Sequence, residues 1–278
     1  MTATMHPMRS LRATVLNVSA SGASLIALAP IYLVFVNALK TQPEASSMGV
    51  ELPTNPQWGN FGTAIDHGKL VTAFFNSALY SIGGTVLAVL VSALAAYVLA
   101  RHRSRRHVII YLLLIMGIAI PTNYVTLMKV MQITHLIDSQ IGMILLYAAT
   151  QIPFSVFLIY AFIDSLPQEL DEAAFIDGCS PLRTFFSIIL PVLTPVLATC
   201  GILSILNIWN EFLMPLYFLN STGTWPMTLA VYGFFGQFAS DWSLVSADIV
   251  LTILPVILIY VVAQRWILSG ISAGAVKG

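Results

Sequence analysis

The sequence predicts an all-α integral membrane protein with six transmembrane helices and no separate soluble domain. Of its 278 residues, 58% are hydrophobic and only 9% are charged, which is too few charges to cover a water-soluble globule of this size. Long uncharged runs recur along the chain between loops rich in Pro, Gly and charged residues. A run of about 20 apolar residues crosses a bilayer as a helix.

Six such runs are expected to span the membrane, at about residues 15–39, 72–100, 108–128, 140–163, 196–219 and 243–266. The first run holds no charge until Lys40, so it is too long for the core of a signal peptide and should remain as an uncleaved helix. The third is interrupted near its end by Pro121, where a kink or unwinding is expected. A brief loop should follow it at 129–138.

The second run carries small hydroxyl residues at helical spacing. Ser77, Ser81, Thr85 and Ser92 therefore give one face of this helix a weakly polar seam. We interpret this seam as a surface for helix packing, because small residues allow membrane helices to approach closely. Part of a substrate path is the alternative interpretation.

The distribution of basic residues predicts on which side of the membrane the termini lie. With both termini inside, the inner segments hold nine Lys and Arg residues and the outer segments hold three. The inner set is Arg9, Arg12, Arg101, Arg103, Arg105, Arg106, Arg183, Arg265 and Lys277, and the outer set is Lys40, Lys69 and Lys129. The positive-inside rule then places both termini in the cytoplasm.

A soluble-looking helix-turn-helix separates the fourth and fifth spans, at 165–191. A short helix is expected at about 167–177. Gly178 permits a sharp turn, and Ser180 with Pro181 begins a second helix as N-cap and first helical residue. Lipid tolerates neither charges nor an open turn, so this segment lies in the cytoplasm, where it should contact a partner.

Polar residues also occur inside the last two spans. Ser204, Asn207 and Glu211 follow helical steps on one face of the fifth span, with Asn210 beside them, and Asp248 lies in the sixth. An ionisable group at membrane depth faces a bundle interior, a partner or a water-filled path. These residues therefore border a translocation path, or they cap loops and bond to neighbouring helices near the outer interface. Both interpretations stay open for Glu211, and the second is favoured for Asp248.

The motifs of several enzyme classes are absent from the sequence. The segment Gly62–Leu70 is the nearest approach to a phosphate-binding loop, but it has one residue too many and lacks the final hydroxyl residue. The five His residues show no metal-ligand spacing, and Cys179 and Cys200 are interpreted as packing residues. Basic and acidic residues number 12 each, which gives no indication of nucleic-acid binding. We expect no catalytic residue and no metal in this chain.

The cytoplasmic segment carries a recognisable signature. Glu172, Ala173 and Ala174 are followed after three residues by Gly178, and after nine more by Ile188 to Pro191. With this pattern the chain resembles the inner-membrane permease subunits of binding-protein-dependent ABC importers, of the carbohydrate type related to the maltose permease. The segments Trp209–Pro215 and Gly270–Gly278 are also similar to such proteins. Cys179 departs from them, because alanine is usual there.

The resemblance implies a type I ABC importer permease bundle in the cytoplasmic membrane of a bacterial or archaeal cell, with a cytoplasmic coupling helix between helices 4 and 5. In that family the signature forms a helix that sits in a cleft of a cytoplasmic ATPase. The residues that would couple this chain to the ATPase are Glu172, Ala173, Ala174, Asp177, Gly178, Leu182 and Phe185. The tentative path residues remain Ser204, Asn207, Asn210 and Glu211.

The resemblance also implies a set of partners. These are a second, homologous permease, two ATPase subunits that bind ATP and Mg, and an extracytoplasmic binding protein that delivers a sugar. The loops at 40–69 and 220–242 are candidates for contact with that binding protein. A secondary transporter driven by a gradient is the alternative function, and the same ABC mechanism acting on a polyol or a glycerol phosphate is another. The sequence does not identify the cargo.

Overall fold

The computed structural model describes residues 7–102, 104–235 and 240–275, with side chains described between residues 16 and 264. Every regular element in these ranges is helical, so the predicted all-α fold is confirmed. Several residues used above lie outside the described part. These are Arg103, residues 236–239 of the loop at 220–242, the last three residues of the closing run with Lys277, and the side chains of Arg9, Arg12 and Arg265.

The helices follow one another along the chain with short connections. The first half contains α1 (Pro7–Ala38), α2 (Gln42–Ala45), α3 (Gly59–His67), α4 (Leu70–Arg101), α5 (Arg105–Ala119), α6 (Tyr124–Ile133) and α7 (Gln140–Asp164). The second half contains α8 (Glu169–Ile176), α9 (Pro181–Thr184), a π turn (Phe185–Ile189), α10 (Leu190–Val192), α11 (Thr194–Asn210), α12 (Leu213–Phe218), α13 (Met227–Ala230) and α14 (Trp242–Ala275). Two 3-10 turns, Thr222–Thr224 and Val231–Phe234, flank α13.

Four helices of the described chain are long and apolar enough to cross a bilayer without a break: α1, α4, α7 and α14. Two further candidates are pairs of helices joined at a sharp bend. The bend is 116° between α5 and α6, and 75° between Pro181–Val192 and α11. If each pair crosses the membrane once, the structure has six spans, the number that the sequence predicts.

The third predicted span breaks at Pro121, as expected. Ile120 has an extended backbone (ψ 120°), the conformation that a following proline imposes. The side chain of Asn123 then caps α6 by accepting a hydrogen bond from Thr126 N–H at 3.0 Å. The predicted loop at 129–138 is wrong in its extent, because this cap starts a helix that continues to Ile133.

The fifth predicted span, 196–219, is also interrupted. Helix α11 ends at Asn210, and Glu211 has an extended backbone (φ −71°, ψ 129°). Its carboxylate Oε1 accepts hydrogen bonds from the N–H groups of Leu213 at 2.8 Å and Met214 at 3.1 Å. These groups begin α12, where no helical acceptor is available to them. Glu211 therefore lies at a break between two helices and not within one helix, which corrects the sequence-based placement.

The described residues within 7–70 and 231–253 form one compact unit, and those within 71–230 and 254–275 form a second. In the first unit, polar side chains complete the end of α1. The amide of Asn60 donates hydrogen bonds to the carbonyl oxygens of Ala38 and Lys40, both at 2.9 Å. Lys40 is buried, and its ammonium donates to Asn37 Oδ1 at 3.1 Å and to Gly49 O at 2.8 Å. The C-terminal carbonyls of α1 are thus satisfied by the loop that follows it.

The second unit has two buried apolar clusters, each of which uses α4, α7 and the segments after α8. One cluster is centred on Tyr80, Met143, Tyr147, Ile208 and Phe218, and the other on Ala96, Ile159, Ile163, Phe185 and Leu193. The hydroxyl seam of α4, Ser77, Ser81, Thr85 and Ser92, is buried throughout. Its interpretation as a packing surface is therefore confirmed.

A carboxylate in the second unit anchors the loop after α12. Asp138 accepts hydrogen bonds from the N–H groups of Asn220 and Ser221 at 3.0 Å and from the Ser221 hydroxyl at 2.5 Å. Burial opposes ionisation of Asp138, but these bonds outweigh it and hold the pKa of this carboxyl below its ordinary value. The anchor is therefore intact at pH values above the ordinary pKa of an Asp carboxyl. It is lost only as the pH falls through the lowered pKa of Asp138.

Replacing Gly84 with alanine is expected to destabilise the protein. A Cβ at Gly84 would lie 3.0 Å from Tyr147 Cβ and 3.2 Å from Ile208 Cδ1, so α4 would have to move away from α7 and α11. Such overpacking costs about 1–3 kcal/mol. Gly201→Ala is the matched control, because its Cβ would meet only Thr85 Cγ2 at 3.9 Å. Thermal unfolding in detergent compares the two, and an unchanged midpoint for Gly84→Ala would contradict this close packing.

Candidate coupling and translocation sites

The segment at 165–191, which we call the coupling segment, forms the predicted helix-turn-helix. Helix α8 ends at Ile176, and Gly178 takes a left-handed conformation (φ +75°) that residues with a Cβ rarely adopt. The N–H groups of Gly178 and Cys179 donate hydrogen bonds to the carbonyl oxygens of Phe175 and Ala174 respectively, both at 3.0 Å. Ser180 then caps α9 by accepting from Arg183 N–H at 3.4 Å. Local hydrogen bonds therefore set the turn.

The coupling residues named from the sequence divide into two groups. Glu172, Ala173, Asp177, Gly178 and Leu182 are exposed, whereas Ala174 and Phe185 are almost fully buried. The Phe185 ring packs against Tyr97 of α4 at 5.3 Å between centroids and belongs to the second apolar cluster. The two buried side chains face the interior of this chain and are not available at its surface.

The coupling segment presents an apolar surface of which the sequence analysis named only Leu182. Phe175 is 80% exposed, Ile176 is 83% exposed and Leu182 is 67% exposed. We call these three side chains the docking patch. Large apolar side chains grouped at a surface mark an interaction site more often than isolated ones do. The signal was present in the sequence, since Phe175 and Ile176 fall between the fixed positions of the signature.

A second unpredicted feature fastens α8 to the end of α4. Asp171, in the first turn of α8, accepts a hydrogen bond from the Tyr97 hydroxyl at 2.6 Å and pairs with Arg101 at 2.8 Å. The same guanidinium donates to the carbonyls of Leu166 at 3.2 Å and Pro167 at 3.4 Å. We call Tyr97, Arg101 and Asp171 the Arg101 clamp. It joins α4, the chain leaving α7 and the coupling helix at one point.

Apart from the coupling segment, the second compact unit contains a cleft of about 560 Å³. It lies between the end of α5, the start of α6, the middle of α7 and the end of α11. We call it the polar cleft. Its polar lining consists of Thr122, Tyr124, Thr150, Gln151, Asn207 and Glu211.

Two amides meet on the wall of the polar cleft. Gln151 Nε2 donates a hydrogen bond to Asn207 Oδ1 at 2.8 Å. This contact sets the direction of both amides, because it requires the amide nitrogen of Gln151 to face the amide oxygen of Asn207. Glu211 completes the lining at the helix break, where its Oε1 already binds two backbone N–H groups.

The four tentative path residues are not brought together. Asn207 and Glu211 line the polar cleft, but Ser204 is fully buried, and Asn210 is exposed outside the lining and donates to Leu206 O at 2.7 Å. Their helical spacing does not extend to Glu211, because α11 ends before it. Gln151 was missed, since its partner Asn207 lies 56 residues away along the chain.

Asp248 lies outside the polar cleft. It is 1% exposed within the first compact unit, and its Oδ1 has no hydrogen-bond donor among the atoms that the structure describes. Across the described part of the chain, no three His, Cys, Asp or Glu side chains are grouped as a metal site would require. Cys200 is buried and belongs to the second apolar cluster, as a packing residue does.

Known proteins share this architecture. A bacterial ABC transporter involved in the import of the acidic polysaccharide alginate matches the chain with a TM-score of 0.80 and 21% sequence identity. The match covers 95% of this chain and 99% of the other. At this identity the likeness shows the fold alone.

Two relatives are similar over most of their length. The melibiose/raffinose/stachyose import permease protein MelC of Bacillus subtilis is 32% identical over 277 residues, which cover 98% of this chain and 100% of MelC. The diacetylchitobiose uptake system permease protein NgcG of Streptomyces coelicolor is 32% identical over 258 residues, which cover 91% of this chain and 85% of NgcG.

A family model matches the region that holds the polar cleft and the coupling segment. It describes the inner membrane component of binding-protein-dependent transport systems, and it matches residues 88–272. This range is more than half of the chain and contains the whole signature. The chain therefore belongs to the family of binding-protein-dependent transport system inner membrane components.

Proposed function

We propose that this chain is the membrane-spanning permease subunit of an ATP-driven importer for a sugar or an oligosaccharide. The observation that carries the proposal is an exposed coupling segment in a chain without a phosphate-binding loop. Such a chain needs another protein to supply energy, and it has a surface on which that protein can dock. The sugars named for its relatives MelC and NgcG support a saccharide as cargo.

The importer would contain this chain, a second homologous permease, two ATPase subunits and an extracytoplasmic binding protein. ATP and Mg would be bound by the ATPase subunits, and this chain would hold no cofactor. Both termini and the coupling segment would face the cytoplasm, which agrees with nine of the twelve Lys and Arg residues on that side. The polar cleft would form part of this chain's half of the path.

The docking patch would enter a groove of the ATPase as an amphipathic helix enters a hydrophobic groove. Phe175, Ile176 and Leu182 would supply the apolar contact, with Glu172 and Asp177 at its edge. The buried Ala174 and Phe185 would hold the segment against the membrane helices without touching the partner. Their part in coupling would therefore be indirect.

The Arg101 clamp would carry movement from the ATPase to the membrane helices. Rigid-body movement passes between elements that are fastened together, and the clamp joins the coupling helix to α4 and to the chain after α7. Closure of the ATPase pair on ATP would thus move α4 together with α8. Alternating opening of the path to each side of the membrane follows from such rocking.

Replacing Ile176 with aspartate should separate this chain from its ATPase while leaving membrane insertion intact. The side chain is 83% exposed, so the folded chain loses no internal contact, but the charge would have to be buried in the partner's groove. Co-purification of the ATPase and uptake of sugar in membrane vesicles measure the effect. Leu52→Asp is the control for co-purification of the ATPase, because Leu52 is 72% exposed in the predicted outer loop and away from the coupling segment.

Retained association and uptake in Ile176→Asp would contradict docking through this patch. Sugar flux from the purified chain alone, driven by a gradient and without any ATPase, would instead overturn the proposed function.

Arg101→Gln should lower the amount of sugar transported for each ATP hydrolysed. The variant breaks the ion pair and both bonds to the carbonyls of the chain after α7. ATP hydrolysis should continue, because the docking patch is unchanged. The reversed pair, Arg101→Asp with Asp171→Arg, should restore part of the transport per ATP, and Arg106→Gln removes an equal charge from an exposed site as control.

The ratio of uptake to hydrolysis in reconstituted importer is the measurement, since a merely structural role would lower both quantities together. An unchanged ratio in Arg101→Gln would contradict the role of the clamp.

A further inference from the structure

We propose that the polar cleft contacts the cargo and that it admits a neutral, hydroxyl-rich molecule, a saccharide or a polyol, and disfavours an anionic one. The inference rests on the proposed function and makes it more specific. It concerns the charge class of the cargo, for which the sequence analysis kept glycerol phosphate as an alternative.

The first argument is the position of the amides. Gln151 lies near the middle of α7, and the exposed Asn207 lies near the end of α11, both in helices that belong to candidate membrane spans. Hydrocarbon offers no hydrogen bonds, and the bond between the two amides leaves further N–H groups and oxygen lone pairs of both side chains to be satisfied. This wall of the polar cleft is therefore suited to water and polar cargo, and not to lipid.

The second argument is the pattern of donors and acceptors. The bond between Gln151 Nε2 and Asn207 Oδ1 uses one N–H group of Gln151, and it leaves the Asn207 amide N–H groups, the Gln151 carbonyl oxygen and the second Gln151 N–H group to bind a ligand. A donor and an acceptor are thus held side by side. Neighbouring sugar hydroxyls, each of which both donates and accepts, match such a pair. Thr150 and Tyr124 add a hydroxyl and an aromatic ring to the same lining.

The third argument is charge. Glu211 is the ionisable acid of the lining, and the lining contains no Lys, Arg or His. The sequence contains none of these cations in residues 108–128, 136–182 or 184–264, the stretches that supply the cleft. Anionic groups are bound in proteins by Arg and Lys. An anionic cargo would here meet a fixed carboxylate with no cation to compensate it, and repulsion between like charges is strong where water is scarce.

The charge of the cleft can be measured without knowing the cargo. In assembled importer with Cys179→Ala and Cys200→Ala, the Thr150→Cys variant places a thiol on the cleft wall and leaves Gln151, Asn207 and Glu211 intact. A cationic methanethiosulfonate should modify this thiol about tenfold faster than an anionic one, after correction for their rates with free cysteine, because clefts concentrate ions of opposite charge. Adding Glu211→Gln should abolish the preference. The exposed Ser187, outside the cleft, gives the control thiol as Ser187→Cys.

Protection by sugars tests the ligand class in the same preparation. Raffinose should slow modification of the Thr150→Cys thiol, and digalacturonate at the same concentration should not. Gln151→Leu should remove the protection by raffinose while the preference for the cationic reagent stays, because the amide pair is lost and Glu211 is not. Equal or faster modification by the anionic reagent would overturn the charge inference, and protection by digalacturonate, or by neither sugar, would overturn the ligand class.

These readouts are separate from ATP-driven uptake. If uptake fails to depend on ATP, the proposed function is wrong whatever the cleft reports. If uptake depends on ATP and the thiol shows no charge preference, only the further inference fails.

Discussion

Hydrocarbon offers no hydrogen bonds, and the structure depends on this constraint. Backbone groups that leave a helix must find partners within the protein, and two breaks show such partners. Asn123 caps α6 after the break at Pro121, and the Glu211 carboxylate binds the first N–H groups of α12. Both breaks border the polar cleft. The cleft is therefore polar at the places where these helices stop, and Glu211, which caps α12, is also part of its lining.

Rules that act over a few residues predicted much of the fold. Uncharged runs predicted the four unbroken candidate spans, Pro121 predicted the break in the third predicted span, and Gly178 with Ser180 predicted the turn of the coupling segment. The predicted ends of the helices were less accurate where a capping side chain begins a new helix, as at Asn123 and Glu211. Helix periodicity carried the expected polar face through Asn210 to Glu211, although the chain is no longer helical there. A capping carboxylate and a path carboxylate look alike in a sequence.

The contacts that define both candidate sites are between distant residues, and for this reason the sequence did not predict them. Tyr97 and Asp171 are 74 residues apart, and Gln151 and Asn207 are 56 apart. Each side chain alone is ordinary: an aspartate near a helix start, or a glutamine in an apolar run. These side chains come into contact only because α4 packs against the coupling segment and α7 packs against α11. One contact fastens the coupling helix to α4, and the other shapes the wall of a cleft within the same unit.

The π turn at Phe185–Ile189 contains one residue more than an α-helical turn. Its closing bond runs from Leu190 N–H to Phe185 O. Removing one residue from this turn would restore an ordinary α-helical turn, because the extra residue is held within the turn itself. Removing one residue from a regular α-helix would instead rotate everything before the deletion by about 100° about the helix axis. The π turn is thus a place where the chain can lose a residue while the docking patch keeps its direction.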